Sequence, residues 1–324
     1  MSEADDPRAK PAAVARPRHP AVAMLLRVLP FALAIGLVAF VLSRLDLAAF
    51  RAHLASVDAP RFVAFAVIFL LSLLSADAFA TVLVYRRSVA PVTFGNFWVL
   101  RGASYVPSLL NHHVGQAFIT VALARRHGIA LARMAGATLV VYASWMGCVA
   151  GLLVLALVMR GGSPVWPALV VAAGVAYLAV IEIRPRRLAK ISLLAPLFEA
   201  RAAGHLVAMA ARLPHLVVLF LGTWLPFFFF GVRVPFADAL ETIPVLMVAV
   251  TLPITPQGFG TRDVLAQLFY ERFAPGATHA ERLAAITAAT TSWGVAVTLL
   301  EAAFGLALLY GVVRRRRDGG PPGA

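Results

Sequence analysis

Charge is scarce in this sequence. Of its 324 residues only 14% are Asp, Glu, Lys or Arg, where soluble domains carry about a quarter. Cysteine is scarcer still: Cys148 stands alone, so no intrachain disulfide and no cysteine metal centre can form. Set in an apolar run, it reads as ordinary helix packing. Carboxylates are few, 15 Asp and Glu against 29 Lys and Arg. The Ser, His and Asp residues show no nucleophile-elbow spacing, and no phosphate-cradling nucleotide loop occurs. The reading is therefore a non-enzyme with no catalytic residue, no cofactor and no metal ligand set, and transport driven by ATP bound within the chain is not expected. No polar stretch is long enough for a separate soluble domain.

What is abundant is apolar sequence, 61% of the chain. Long runs at 21–43, 60–84, 133–159, 164–183, 214–232 and 283–313 each reach or approach the roughly 20 residues that cross hydrocarbon. The fold class expected is an all-α polytopic membrane protein of about six full spans. The run at 21–43 has no small-residue cleavage site before Arg44 and reads as a retained span. Residues 1–20 read as a disordered basic tail, and 314–324 as a basic flexible one. Between them lies a single transmembrane domain over 21–313.

The net charge of +14 sits at the chain ends and between apolar runs. That placement suits anionic lipid headgroups rather than nucleic acid. Arg8, Arg16, Arg18, Arg86, Arg87, Arg125, Arg126 and Arg133 fall on one side of the predicted spans. The basic stretch 184–213 and Arg314 to Arg317 fall there too. By the positive-inside bias this side is the cytoplasm, with both termini on it, and the expected location is a bacterial-type inner membrane.

Two further apolar regions, 92–126 and 236–273, are interrupted. One contains Pro107-Ser108-Leu109-Leu110-Asn111-His112-His113-Val114-Gly115. The other contains Pro253-Ile254-Thr255-Pro256-Gln257-Gly258-Phe259-Gly260. Irregular backbone at membrane depth persists only where protein buries it or it lines a wet cavity. Each region is read as a re-entrant pair of short helices, the alternative being two tilted spans. Pro91 and Pro235, Arg133 and Arg282, and Ser144-Trp145 and Ser292-Trp293 recur at nearly the same offset. One duplication explains the pattern: repeat one at about 60–159, an extra span at 164–183, a cytoplasmic linker at 184–213, and repeat two at about 214–313. An odd number of crossings between the copies makes them inverted repeats, and paired broken helices in such repeats point to a transporter binding site.

The later element reads Leu252-Pro253-Ile254-Thr255-Pro256-Gln257-Gly258-Phe259-Gly260-Thr261-Arg262-Asp263. It resembles the late motif of the membrane region of lysylphosphatidylglycerol synthases and of their stand-alone flippase-like relatives. Pro107 through Gly115-Gln116 is similar to the family's early motif. The resemblance covers roughly 20–315 and implies handling of a lipid headgroup. Gln257 stands for a glycine, Asp263 for a glutamate and Gln116 for the early carboxylate. The soluble acyltransferase domain of the full-length synthases is missing, so a separate soluble transferase is a possible partner besides membrane phospholipid.

The candidate substrate-binding residues follow from chemistry at depth. Pro253, Pro256, Gly258 and Gly260 would shape the second interruption, and a helix opening near Thr261 would offer its N-terminus to a phosphate. The alternative is a plain helix-to-helix turn. Arg262 would fork onto phosphate oxygens, and Asp263 would hold a cationic group or pair with an arginine. The alternative for both is an interfacial pair reaching to water. Arg101 and Asp77 are read as an ion pair or a headgroup contact, and Glu301 as an interior carboxylate paired with Arg101 or Arg262. Asn111, His112, His113 and Gln116 form a polar tip that solvates or gates the cavity. Two function classes remain: a lipid flippase or headgroup permease, and a membrane subunit of an enzyme acting on lipid-linked substrates.

Overall fold

The computed structural model describes residues 47–109, 111–251 and 260–317, and every regular element among them is helical. The expected span at 21–43 and most of the second interruption, including Pro253, Pro256 and Gly258, lie outside the described residues. Five described helices are long and apolar enough to cross a membrane: 59–88, 131–159, 165–183, 195–230 and 279–311. They correspond to the five expected spans from 60–84 onward.

After a short helix α1 (Leu47–Ala55), the first long helix α2 (Ala59–Ser88) is opened by Asp58. The Asp58 carboxylate accepts the Arg61 N–H at 3.2 Å, which satisfies one of the helix's orphan donors. The interrupted region follows as α3 (Phe94–Ala103), a single turn α4 (Tyr105–Ser108) and α5 (His112–His127). The break is narrow. Pro107 stays inside helical backbone, and extended backbone begins at Asn111 (φ −168°, ψ 138°). Asn111 caps α5 by accepting the His113 N–H at 2.8 Å. A Cβ on Gly115 would strike the Ser108 side chain and come within 3.0 Å of the Ser104 carbonyl. Glycine there lets α5 fold back closely against α4.

Helix α6 (Leu131–Met159) leads to α7 (Val165–Ile183), of which only Ile181 is buried. An apolar helix exposed nearly all round fits a lipid-facing span. After the short α8 (Arg186–Ala189) comes α9 (Ala195–Trp224), continued by a 3-10 helix at Leu225–Phe230. The stretch expected as a linker up to 213 is therefore helical from Ala195 onward and continuous with the span. Its first part is set off by a kink: Arg201 is non-helical (φ 55°, ψ 173°), and the Glu182 carboxylate accepts the Ala202 N–H at 3.1 Å, restarting the helix. The same carboxylate pairs with the Arg201 guanidinium. Helices α10 (Phe236–Thr251) and α11 (Thr261–Tyr270) flank the undescribed part of the second interruption. The last helix, α12 (His279–Arg317), runs into the basic stretch that had been expected as tail.

Helices α2 and α9 lie antiparallel, since Asp77 meets Arg212 while Phe69 meets Gly222. The largest core cluster joins α2, α9, α10, α11 and α12. At its heart the Trp293 ring sits 5.0–6.0 Å from those of Phe62, Phe65 and Phe69. Such aromatic contacts add geometric selectivity to area burial.

Candidate functional site

A cavity of about 240 Å³ opens where α2, the end of α9, α10, α11 and α12 converge. Its walls are apolar, with Phe69, Leu73, Leu219, Phe227, Met247 and Trp293 among them, and two charged side chains enter it, Arg262 and Glu301. That volume is below the 300–1,000 Å³ common for whole drug-sized ligands, so it suits a headgroup better than a complete lipid.

Arg262 reaches the cavity from the first turn of α11. Its Nη2 donates to the Thr290 carbonyl oxygen of α12 at 2.8 Å. Its Nε is buried and has no hydrogen-bond partner among the described residues. A guanidinium N–H left unmade in a dry site is costly, and an anion in the cavity would supply the acceptor. Asp263, next in sequence, does a different job. Its Oδ2 accepts the Gly260 N–H at 2.9 Å, so the carboxylate itself occupies the positive end of α11. Asp263 is buried, and its Oδ1 is without a partner. Gly260, at φ 81°, takes a backbone conformation that other residues resist. Neither Asp263 nor Gly260 lines the cavity.

Glu301 lines the cavity from α12, eleven residues beyond Thr290 and so about 16 Å along the helix axis. It has no ion pair among the described residues, and Arg101 is the charge within its electrostatic reach. Of the two partners suggested by sequence, Arg101 lies within reach without closing on Glu301, and Arg262 shares only the cavity with it.

The expected pairing of Arg101 with Asp77 is present, and a second arginine joins it. Arg101 Nε donates to Asp77 Oδ2 at 2.6 Å, and its Nη1 to Ser104 Oγ at 3.0 Å. Arg212 Nη1 donates to Asp77 Oδ1 at 3.0 Å, while its Nε and Nη2 reach Ser144 Oγ at 3.2 Å and Thr81 Oγ1 at 3.1 Å. One carboxylate thus serves two guanidiniums from α3 and α9, with Arg212 only 3% exposed. Sequence reasoning placed Arg212 among the cytoplasmic linker charges. The signal that finds it is spacing: His205, Ala208, Arg212 and Leu216 recur at three and four residues and are all buried on one face of α9.

The polar tip stays at the start of α5. Asn111 and His113 are exposed and Gln116 half-buried. The rings of His112 and His113 each lie 6.4 Å from that of Tyr142 on α6. No group of three or more metal-ligating side chains occurs among the described residues. The structure therefore gathers the sequence candidates into three places. Arg262 and Glu301 share the cavity, Arg101 belongs to the Asp77 cluster, and Asn111, His113 and Gln116 lie in the first turns of α5, where the His113 ring faces Tyr142.

No curated protein and no solved structure matches the chain. A family model does, over residues 27–299: that of the lysylphosphatidylglycerol synthase TM region. A match across most of the length, onto a bundle of apolar spans that encloses a charged cavity, settles the family. The chain belongs to the lysylphosphatidylglycerol synthase transmembrane-region family.

Proposed function

We propose that this multi-pass membrane protein is a flippase or headgroup permease for an anionic or aminoacylated phospholipid. One observation carries the reading: the cavity among the spanning helices holds a guanidinium with an unpartnered N–H, Arg262, and an unpaired carboxylate, Glu301. Ionisable groups at such depth are expensive and are retained where they meet a substrate or each other. In this reading Arg262 takes the lipid phosphate and Glu301 a cationic group on the head. The acyl chains remain in the bilayer, and access alternates as two inverted repeats rock about the cavity. The membrane would be a bacterial-type cytoplasmic membrane with both termini inside, by the distribution of basic residues.

The test is transfer between leaflets. Purified protein in liposomes should exchange fluorescent phosphatidylglycerol and its lysyl ester above the rate of empty vesicles. Arg262→Ala should slow both by about 10- to 100-fold, the loss of a charge-assisted contact of ~1.5–3 kcal/mol. Glu301→Gln should slow the lysyl ester more. Exchange at the empty-vesicle rate, with turnover of a lipid-linked substrate once a soluble transferase is added, would replace this reading by that of an enzyme subunit.

A further inference from the structure

The cavity does not end at an inert wall. Leu73 of α2 and Leu219 of α9 line it. Asp77 lies four residues after the first and His215 four residues before the second. Because α2 and α9 are antiparallel, both steps lead the same way, about 6 Å along the bundle. The next layer therefore contains Asp77, Arg212, His215 and Arg101.

That layer carries more cation than it neutralises. Both oxygens of Asp77 are engaged by arginines. Arg212 spends its three nitrogens on Asp77, Ser144 and Thr81. Arg101 spends two, and its Nη2 has no hydrogen bond among the described residues. Two buried polar atoms of this region, the Tyr142 hydroxyl and His215 Nδ1, are also without hydrogen-bond partners among the described residues. His215 follows Arg212 by three residues on α9, with its ring 5.4 Å from that of Trp145 on α6, and Tyr142 precedes Ser144, which bonds Arg212, by two residues on α6. One hydrogen-bonded carboxylate for two arginines, with Glu301 near Arg101 but not paired to it among the described residues, leaves an idle guanidinium N–H and an idle hydroxyl, which are donors suited to a phosphate oxygen.

We infer that Arg101, Tyr142 and His215 form a second anion station one helical turn beyond the cavity, which receives a phosphate-type anion after Arg262. The station deepens the permease reading and rests on it for its role, though its binding chemistry stands alone. Asp77 and Arg212 position Arg101. The ligand class is a phosphate monoester or diester, whether a lipid head or the free ion.

Trp145 reports on it, its ring 5.4 Å from that of His215, while Trp293 lines the first cavity. Full-length protein in detergent is titrated with dihexanoyl phosphatidylglycerol and, separately, with inorganic phosphate. The signal is the fluorescence change that disappears in Trp145→Phe. The wild type should show a saturable change, and Tyr142→Phe should raise its dissociation constant about tenfold, equivalent to ~1.4 kcal/mol. Tyr142→Phe removes a hydroxyl that bonds nothing among the described residues, so the fold and the Trp293 response should remain. A response to the lipid alone assigns the station to headgroups, and one to both ligands assigns it to phosphate in general. A wild type with no Trp145-dependent change, or a Tyr142→Phe titration equal to wild type, overturns the station. Failure of the first cavity looks different: Trp293 stays silent, or responds equally in Arg262→Ala, whatever Trp145 does.

Discussion

Removing Asp77 should be among the most damaging single changes in this protein. In Asp77→Ala two buried guanidiniums lose together the carboxylate that both of them bond. Arg212 is 3% exposed and Arg101 and Asp77 have side chains 12% and 10% exposed, so little water can replace the carboxylate. Breaking a buried pair by deleting one partner costs about 3–5 kcal/mol. Here the remaining bonds to Ser104, Thr81 and Ser144 keep the cost within that range rather than doubling it. Cys148 supplies the assay. It is the sole cysteine, is 5% exposed, and its Sγ donates to the Met209 carbonyl at 3.4 Å across the α6–α9 contact. It also sits one turn after Ser144, which binds Arg212. A maleimide should label it only when that interface opens, at a rate proportional to the open population. A loss of ~3–5 kcal/mol accelerates labelling by roughly two to three and a half orders of magnitude. The exposed bidentate pair Arg133–Glu199, at 3.0 and 2.6 Å, is the internal contrast. Glu199→Ala should cost no more than ~1 kcal/mol, about fivefold in rate. If Asp77→Ala labels within tenfold of wild type, the cluster is not held by its charge balance and the argument fails. A rate for Asp77→Ala/Arg212→Met as slow as for Asp77→Ala, or slower, is expected, because the double variant removes one stranded cation.

Three further outcomes follow from other parts of the fold. A Cβ on Gly222 would run into the Phe69 ring, and both residues line the cavity; Gly222→Ala should cost about 1–3 kcal/mol by overpacking and weaken short-chain lipid binding measured by calorimetry, whereas unchanged affinity would place the ligand elsewhere. Gly260→Ala forces a β-carbon onto φ 81° at the start of α11; about 1–2 kcal/mol should be lost, visible as faster amide exchange in that helix. Glu271, in the turn before α12, is held below the usual carboxylate range first by its hydrogen bond to His279 and then by Arg282. A depressed carboxylate contributes stability that is present above its unfolded pKa of about 4.5 and is lost as pH falls through the lower folded value. Amide protection factors in the 271–282 turn, with exchange corrected for its intrinsic pH dependence, should therefore be equal at pH 7 and 6 and fall below pH about 4.5, and factors unchanged down to pH 3 would show that these contacts do not hold the turn.

The parts of this fold that were legible in sequence are those written in hydrophobic length. Spans such as 60–84 and 164–183 needed only a count of apolar residues, because a bilayer imposes that length. The Asp77–Arg101 pair was legible for a related reason, since two opposite charges in apolar runs have few places to go. Arg212 was hidden by its neighbours. It sits among Arg201, His205 and Pro214, so composition reads as connector, and only the periodic burial of His205, Ala208 and Leu216 marks an inward face. Asp263 shows the opposite failure: a charge beside a glycine motif reads as a ligand group, but its carboxylate closes the local turn onto Gly260. Tyr142 and His215 carried no signal, because neutral polar residues in a span are common and their lack of partners is a property of packing alone.

The charges also explain one another. Arg262 is tied by one nitrogen to the Thr290 carbonyl, which fixes the guanidinium while leaving Nε unused. Arg101 is tied the same way, to Asp77 and Ser104, and leaves Nη2 unused. Each arginine is thus anchored first and available second, which lowers the ordering entropy a ligand must overcome. Glu301 stands between them on α12, close enough for Arg101 to feel it and too far to neutralise it. An ion pair closed between Glu301 and either arginine would remove one station from the pathway. In the proposed permease reading, leaving the carboxylate open would keep both arginines available and add a place for a positive group on the same head. A lipid with phosphate alone would meet only the arginines, and one that also bears an amine would meet all three, so Glu301→Gln should compress the preference between the two lipids rather than abolish transfer of either.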